Sequence, residues 1–168
     1  MGESGVNTIL LNSHMKNTEA ALRWITDILY RHKIPFQVAG GFAAQQYGST
    51  RELADIDIDI PENRFLEIVP EVEDYIISGP SQFKDKNWDL FLMTLRYEGQ
   101  EIDLGGAYRV KIFNENEKKW QKLKANLSNV DIVKVFNIKI PVIKKDELIK
   151  YKKILGRDVD KVDIEQIR

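Results

Sequence analysis

Three aspartates alternate with three isoleucines over residues 55–60, and no other feature constrains the chain as strongly. Successive side chains of a β-strand point to opposite faces, so the isoleucines would line a buried face and Asp55, Asp57 and Asp59 the other. Neighbouring carboxylates repel one another, and aspartate is a poor strand former. The pattern predicts a strand whose acidic face binds Mg²⁺, a cation that prefers oxygen ligands. A solvent-facing strand that is merely acidic is the alternative.

A glycine pair lies upstream of this strand. Gly40 and Gly41 follow the short buried run of residues 36–39 and precede the small-residue segment FAAQQY. Glycines at a strand-to-helix turn let backbone N–H groups approach a phosphate, so the pair is a candidate nucleotide-binding element. A purely conformational role is the alternative. Arg51, four residues before Asp55, is a candidate phosphate contact or an ordinary ion-pair partner.

Length and composition limit the classes of protein to which the chain can belong. The chain has 168 residues, which predicts about one domain, and it has no cysteine and two histidines. Disulfides and thiolate zinc sites are therefore excluded, and a metal would have to bind oxygen. No apolar run is long enough for a membrane span, which predicts a soluble, cytoplasmic protein. Residues 1–14 have no clear period and are expected to be a leader or tag remnant before a domain of residues 15–168.

Apolar periodicity predicts the elements that carry these residues. The predicted helices begin near Asn17, Phe42, Pro61 (ended or kinked at Pro70), Asp146 and Asp158, and the predicted strands cover residues 36–39, 54–60, 88–97, 100–104, 130–136 and 139–143. Two further segments are predicted as follows. Residues 79–87 are predicted to be a loop, because they are polar and rich in turn residues, and residues 114–127 are predicted to form a helix.

The net charge of −1 hides an asymmetry along the chain. Residues 1–107 contain 9 basic and 17 acidic side chains, whereas residues 108–168 contain 16 basic and 9 acidic ones. An acidic part facing a basic part could bind a divalent cation together with a polyanion, although charge spread over solvated faces is the alternative. The basic part also supports a rival hypothesis, an RNA or nucleotide binder. Its stacking surfaces would be rings that could equally belong to the core: Trp88, Tyr97, Tyr108 and Trp120.

The order of these motifs resembles a known family. A glycine pair, a small helix, Thr50-Arg51 and then DIDID are similar to the nucleotidyltransferase superfamily that shares the DNA polymerase beta fold, and especially to its small lincosamide and aminoglycoside nucleotidyltransferases. The resemblance implies an α+β nucleotidyltransferase fold, a single domain with a mixed β-sheet flanked by helices. It also implies that Gly40 and Gly41 lie beneath a triphosphate and that Asp55 and Asp57 ligate Mg²⁺.

The resemblance extends to a third carboxylate. Asp103 lies between Ile102 and Leu104 after a hairpin turn at Gly99, the setting in which the family places this residue. It implies that Asp103 completes a second metal site or takes the proton of the acceptor. Glu101, two residues earlier on the same strand face, is an alternative general base, and Asp59 is another.

The C-terminal segment, residues 140–167, also resembles the family. A strand is followed by a helix with a lysine, then Gly-Arg and two spaced aspartates, and Lys152, Arg157, Asp160 and Asp163 take those places. Lys152 lies on the apolar stripe of its helix, where a charge is costly unless it reaches a partner. We expect Lys152 to contact the triphosphate, and snorkelling to water is the alternative.

These residues predict an enzyme, a Mg²⁺-dependent nucleotidyltransferase. It would move a nucleoside monophosphate from an NTP, expected to be ATP, to an acceptor, for which a small molecule such as an antibiotic is favoured. Lincosamide enzymes follow the third aspartate with His-Pro, whereas this chain has Gly105 and Gly106, so the acceptor pocket is expected to differ. The alternative is a noncatalytic or toxin–antitoxin or abortive-infection type of protein with the same fold, acting on or binding RNA or protein. The acceptor, the NTP base and the oligomeric state stay open.

Overall fold

The computed structural model describes residues 15–167, so the expected leader of residues 1–14 lies outside the described part. The strands are β1 (Gln37–Ala39), β2 (Asp55–Ile60), β3 (Ile76–Lys84), β4 (Trp88–Tyr97), β5 (Gln100–Gly106), β6 (Val110–Asn114), β7 (Lys119–Leu123), β8 (Val130–Val135) and β9 (Ile138–Ile143). The α-helices are α1 (Thr18–Arg31), α2 (Gly40–Gln46), α3 (Phe65–Val72), α4 (Lys145–Leu155) and α5 (Asp158–Gln166), with 3₁₀ turns at Glu62–Arg64 and Glu73–Tyr75. No helix of this described part is long and apolar enough to cross a bilayer.

All the strands belong to one mixed sheet. Their order is β7-β6-β4-β5-β2-β1-β9-β8, and β3 pairs with β4 beside that path. The β2/β5 and β1/β9 pairs are parallel and the others are antiparallel. The prediction of an α+β fold built on a mixed sheet with flanking helices is confirmed.

The two faces of β2 differ as the alternation predicts. Ile56, Ile58 and Ile60 are each at most 1% exposed and belong to the core, which also contains the apolar stripe of α1. Helix α1 begins where expected, since the side chain of Asn17 accepts a hydrogen bond from the N–H of Ala20. Burial of the isoleucines fixes the register, because a slip of one residue would bury the aspartates instead.

The predicted loop over residues 79–87 is wrong for most of its length. Strand β3 runs to Lys84 and pairs with β4 along its edge. Its side chains are mostly exposed, so the strand is held by backbone hydrogen bonds and shows no apolar alternation. The true turn covers residues 85–87, where Asp85 Oδ1 accepts hydrogen bonds from the N–H groups of Asn87 and Trp88.

The predicted helix over residues 114–127 is also wrong, because β6 and β7 form an antiparallel hairpin there. Lysine and glutamine favour helices as isolated residues, but intrinsic propensity is weak and tertiary pairing overrides it. Phe113 lies directly across from Trp120, and such aromatic pairs stabilise a sheet. Asn114 Oδ1 closes the turn by accepting hydrogen bonds from the N–H groups of Asn116 and Glu117.

Several helix boundaries differ from their predictions; α3, for example, begins at Phe65 after a 3₁₀ turn rather than at Pro61. Pro70 lies inside α3 rather than at its end. Proline lacks the N–H group that would donate to the carbonyl of Leu66. Because Leu66 is 75% exposed, water can bind that carbonyl instead. Helix α4 begins after Lys144, which places Asp146 inside the first turn instead of at the cap. Asp158 is likewise the first residue of α5. Both acids still interact favourably with the helix dipole.

Candidate active site

Three carboxylates converge where β2 and β5 lie side by side. The parallel register places Asp57 opposite Asp103. Each of Asp55, Asp57 and Asp103 offers a carboxylate oxygen, and the three oxygens lie within 4.8 Å of one another. The alternation on β2 and the third aspartate on the neighbouring strand are therefore brought to one point, which we call the acidic triad.

The triad is electrostatically strained in the free protein. Burial, followed by the charges of Asp55, Asp103 and Asp59, raises the pKa of Asp57 well above its usual value, while Lys152 opposes the shift. Burial and the hydrogen-bonded carboxyl group of Asp55 raise the pKa of Asp103 to about 7. The carboxylate oxygens of the triad are crowded and repel one another. They suit a hard divalent cation such as Mg²⁺, which prefers oxygen ligands and would neutralise the repulsion.

Thr94 orients the third carboxylate, and sequence reasoning missed it. Its Oγ1 donates a 2.7 Å hydrogen bond to Asp103 Oδ1 across the β4/β5 pair. The two-residue turn of the predicted hairpin, Glu98 and Gly99, places residue 94 opposite residue 103. Counting back from that turn could have found Thr94.

The two alternative bases lie beside the triad but outside it. Glu101 is at the rim, where its carboxylate forms a 2.7 Å ion pair with Arg96 and its side chain is 42% exposed. Asp59 lies further along β2 and accepts a 2.9 Å hydrogen bond from Gln37 Nε2. Burial raises the pKa of Asp59 to about 6, although the hydrogen bond from Gln37 opposes this.

The glycine pair lies against the triad. Gly40 has a φ of +60°, and a Cβ atom there would be 1.9 Å from Asp57 Oδ2, so a side chain would displace that carboxylate. The N–H of Gly40 donates a 2.7 Å hydrogen bond to the hydroxyl of Tyr151, a second residue that sequence reasoning missed although it follows the apolar stripe of α4. A Cβ atom on Gly41 would lie 2.9 Å from Arg51 Nη2. The absence of side chains at the glycine pair therefore lets Asp57 and Arg51 pack directly against the backbone.

Replacing Gly40 with alanine is expected to lower stability by about 1–3 kcal/mol, because the change adds a left-handed backbone strain and a clash with Asp57. Mg²⁺-dependent nucleotide binding should fall as well. Gly41→Ala is the matched control: Gly41 has no left-handed φ, and its added Cβ would lie 2.9 Å from Arg51 Nη2 rather than 1.9 Å from a carboxylate, so its stability loss should be smaller. Urea denaturation of both variants measures the difference, and equal losses would contradict the assigned role of Gly40.

Lys152 lies in a buried ion network rather than in open solvent. Its Nζ is 3.1 Å from Asp160 Oδ1 and 3.0 Å from Asp163 Oδ2, and all three side chains are at most 2% exposed. Arg51 donates two hydrogen bonds to Asp163, of 3.0 and 2.8 Å. Arg157 pairs with Asp160. The snorkelling alternative for Lys152 is excluded, because its side chain does not reach water.

The network fixes Arg51 beside the glycine pair. Burial favours the neutral form of Asp163, but hydrogen bonds from Arg51, Lys152 and Ser49 outweigh it and lower the pKa of Asp163 to about 2. A carboxylate held this firmly limits the positions of the Arg51 guanidinium. Two cations of the network are partly exposed, since 26% of the Arg51 side chain and 40% of the Arg157 side chain are accessible. Lys152 is positioned to act on Asp57 through its charge and on Arg51 through Asp163.

This arrangement is a nucleotidyltransferase fold with an acidic triad, and the predicted resemblance is confirmed by solved structures. A Thermotoga maritima protein provisionally named a nucleotidyltransferase is 23% identical, with a TM-score of 0.69 over 89% of this chain and 92% of its own. The lincosamide antibiotic adenylyltransferase LnuA, solved with lincomycin bound, is 20% identical, with a TM-score of 0.58 over 91% and 98%. The antibiotic-resistance factor ANT(2'')-Ia is 16% identical, with a TM-score of 0.59 over 92% and 83%. No protein-family model and no curated protein sequence matches the chain.

Proposed function

We propose that the chain is a Mg²⁺-dependent nucleotidyltransferase that moves a nucleoside monophosphate from an NTP to an acceptor and releases pyrophosphate. The observation that carries the proposal is the convergence of Asp55, Asp57 and Asp103 within 4.8 Å, on two adjacent parallel strands of a nucleotidyltransferase fold. Phosphoryl-group transfer depends mainly on positioning and on neutralising charge, and this site supplies groups for both.

The triad would hold the metal and handle the proton. Asp55 and Asp57 would bind Mg²⁺, which would neutralise the triphosphate and stabilise the charge that develops on the leaving group. Asp103 would accept the proton of the acceptor hydroxyl or complete a second metal site. It is a better candidate for the base than Glu101, because Glu101 is engaged by Arg96 at the rim. Thr94 would keep the Asp103 carboxylate in position.

The triphosphate would lie along the glycine pair. Gly40 lies against the carboxylate of Asp57 and Gly41 against the guanidinium of Arg51, so phosphates bound by the metal and by Arg51 would lie beside the pair. Arg51 would provide a charge-assisted contact, since its guanidinium lies beside Gly41 and its side chain is partly exposed. Lys152 would contribute to triphosphate binding through the electrostatic field of its ammonium group and by helping to hold Arg51 in position through Asp163.

The acceptor is proposed to be a small molecule, with ATP as the expected donor. LnuA was solved with lincomycin bound, and a structure of ANT(2'')-Ia holds adenylyl-2''-tobramycin, an antibiotic that already carries the adenylyl group, so proteins with this fold bind small molecules. Half-buried leucines, Leu90 and Leu92, lie on the triad face of β4, next to the flat surface left by Gly105. This wall would offer apolar contact to an acceptor on the side away from the glycine pair.

Incubation with NTPs labelled at the α-phosphate, Mg²⁺ and a panel of antibiotics, RNAs and proteins tests the proposal. We expect label to move to an acceptor in the intact protein, and the transfer to be lost in Asp103→Asn and in EDTA. Mg²⁺-dependent NTP binding with no transfer to any acceptor would favour the noncatalytic alternative. Absence of Mg²⁺-dependent NTP binding would overturn the proposal altogether.

A further inference from the structure

The hairpin formed by β6 and β7 brings like charges directly opposite one another. Lys111 pairs in register with Lys122, and Arg109 and Lys124 lie just beyond the last pair of the ladder, Val110 with Leu123. All four side chains belong to exposed residues. Cross-strand pairs of like charge are destabilising, so the fold carries a cost here that an anionic partner would remove.

Aromatic rings flank these cations. Phe113 and Trp120, the next pair on this face, pack with ring centroids 5.5 Å apart. The Nζ of Lys84 lies 5.1 Å from the centre of the Trp120 ring, and the Nζ of Lys124 lies 5.5 Å from that of Tyr108. We call this surface the basic hairpin face; it consists of Lys84, Tyr108, Arg109, Lys111, Phe113, Trp120, Lys122 and Lys124.

The positive charge of the face is largely uncompensated. No acidic side chain of residues 15–167 lies within ion-pair distance of its five cations. The lysines at the tip of the same hairpin differ, because Lys118 pairs with Glu115 and Lys119 with Glu117. Asp89 is the acid that register places next to Lys84 and Lys111, and it accepts a hydrogen bond from Gln82. A second carboxylate, that of Glu62, accepts hydrogen bonds from the N–H groups of Tyr108 and Arg109. Two carboxylates do not balance five cations.

The face lies on the opposite side of the sheet from the acidic triad. Lys111 pairs with Asp89 of β4, and Asp103 pairs with Thr94 of the same strand. Residues 89 and 94 are five apart, so their side chains point to opposite faces. The basic hairpin face is therefore distinct from the site where we place the acceptor.

A groove continues the face at one end. It has a volume of about 610 Å³ and is lined by Pro35, Tyr108, Lys124 and residues 125–128. Tyr108 is 40% exposed at its edge. An aromatic ring, a lysine, an amide and a hydroxyl together suit a base stacked on Tyr108 with its phosphate on Lys124.

We propose that the basic hairpin face binds single-stranded nucleic acid, with Arg109, Lys111, Lys122 and Lys124 on the phosphates and Tyr108 on a base. Cations with interleaved aromatic rings are the chemistry that single strands require, because the rings stack on bases of any sequence. The other two rings considered from the sequence are in the core instead, since Tyr97 stacks on Trp24 and Trp88 packs against Tyr151.

Fluorescence anisotropy with labelled single-stranded oligonucleotides of RNA and of DNA tests the inference. The variant Lys111→Gln with Lys122→Gln should weaken binding about 25-fold at 0.1 M salt and reduce the slope of log K against log[salt] by about 1.4, the counterion-release effect of two contacts. Its stability should hold or rise, because repulsion is relieved. Tyr108→Ala should weaken binding and leave the slope unchanged.

The matched control is Lys134→Gln with Lys139→Gln, an exposed lysine pair directly opposed across β8 and β9 at the other edge of the sheet. It should bind as the unchanged protein does. Equal loss in both double variants would overturn the inference, as would binding to vesicles of anionic lipid without binding to oligonucleotides. Affinity for Mg²⁺ and NTP should be the same in all these variants. The test of oligonucleotide binding is therefore independent of the proposed transferase activity.

Discussion

Replacing Asp57 with asparagine is expected to lower nucleotidyl transfer about 10³-fold. Asp57 lies at the centre of the acidic triad, opposite Asp103 and beside the glycine pair, so the change removes a charged metal ligand. A metal ion contributes several kcal/mol of charge stabilisation in the transition state, and each factor of ten in rate corresponds to about 1.4 kcal/mol. Transfer of label from the α-phosphate, followed under single-turnover conditions, measures the loss.

The same variant should be at least as stable as the unchanged protein when Mg²⁺ is absent. Burial and three neighbouring carboxylates raise the pKa of Asp57, which means that its charge is unfavourable in the free folded state. Thermal unfolding with and without Mg²⁺ and ATP separates the effects: the ligands should raise the Tm of the unchanged protein and not that of the variant. Glu52→Gln, at an exposed residue just before β2, should respond as the unchanged protein does. A ligand-induced shift retained in Asp57→Asn would remove the triad from the proposal.

The sequence predicts the centre of the site partly from a local pattern and partly from the family resemblance. Alternation fixes both faces of β2. The hairpin turn after Tyr97 fixes only the pairing of Asp103 with β4, whereas the parallel pairing of β5 with β2 joins distant parts of the chain, so Asp103 was implied by the resemblance. Thr94 follows from the same turn, and it was missed because an isolated threonine on a strand carries no chemical signal.

The edges of the sheet are less predictable from the sequence. Strands β3 and β7 have exposed, polar side chains and are held by backbone pairing to β4 and β6, a contact that the side-chain pattern does not encode. Residues 114–127, which include β7, consequently look helical by composition. The pairing of Lys111 with Lys122 can be identified only from the register of β6 and β7.

Lys152 shows a third limit of prediction from the sequence. Its place on an apolar stripe predicts that its charge needs a partner, but the sequence does not select the partner. The turn at Gly156, which has a φ of +63°, folds α5 back against α4 and brings Asp160 and Asp163 to the ammonium group. The partner is therefore set by the packing of two helices, which local periodicity does not describe.

Replacing Lys152 with methionine is expected to lower the free energy of unfolding by about 3–5 kcal/mol. The variant keeps the apolar stem but leaves two fully buried carboxylates with less positive charge, and breaking a buried ion pair from one side costs about this much. Lys150→Met, at an exposed residue on the same helix, should change stability by less than about 0.5 kcal/mol. Chemical denaturation of both variants makes the comparison.

The dependence of this loss on pH identifies its origin. A carboxyl group whose pKa falls to about 2 on folding contributes stability above its ordinary pKa of 3.8, and that contribution disappears as the pH falls towards 2. If Lys152 acts by holding Asp163, the stability difference between Lys152→Met and the unchanged protein should be full above about pH 5 and shrink between about pH 4 and pH 2. A small stability loss at neutral pH with a large loss of ATP affinity would instead place Lys152 directly on the triphosphate. The buried network predicts the reverse, because the ammonium group is enclosed by Asp160 and Asp163, whereas the guanidinium of Arg51 lies beside Gly41.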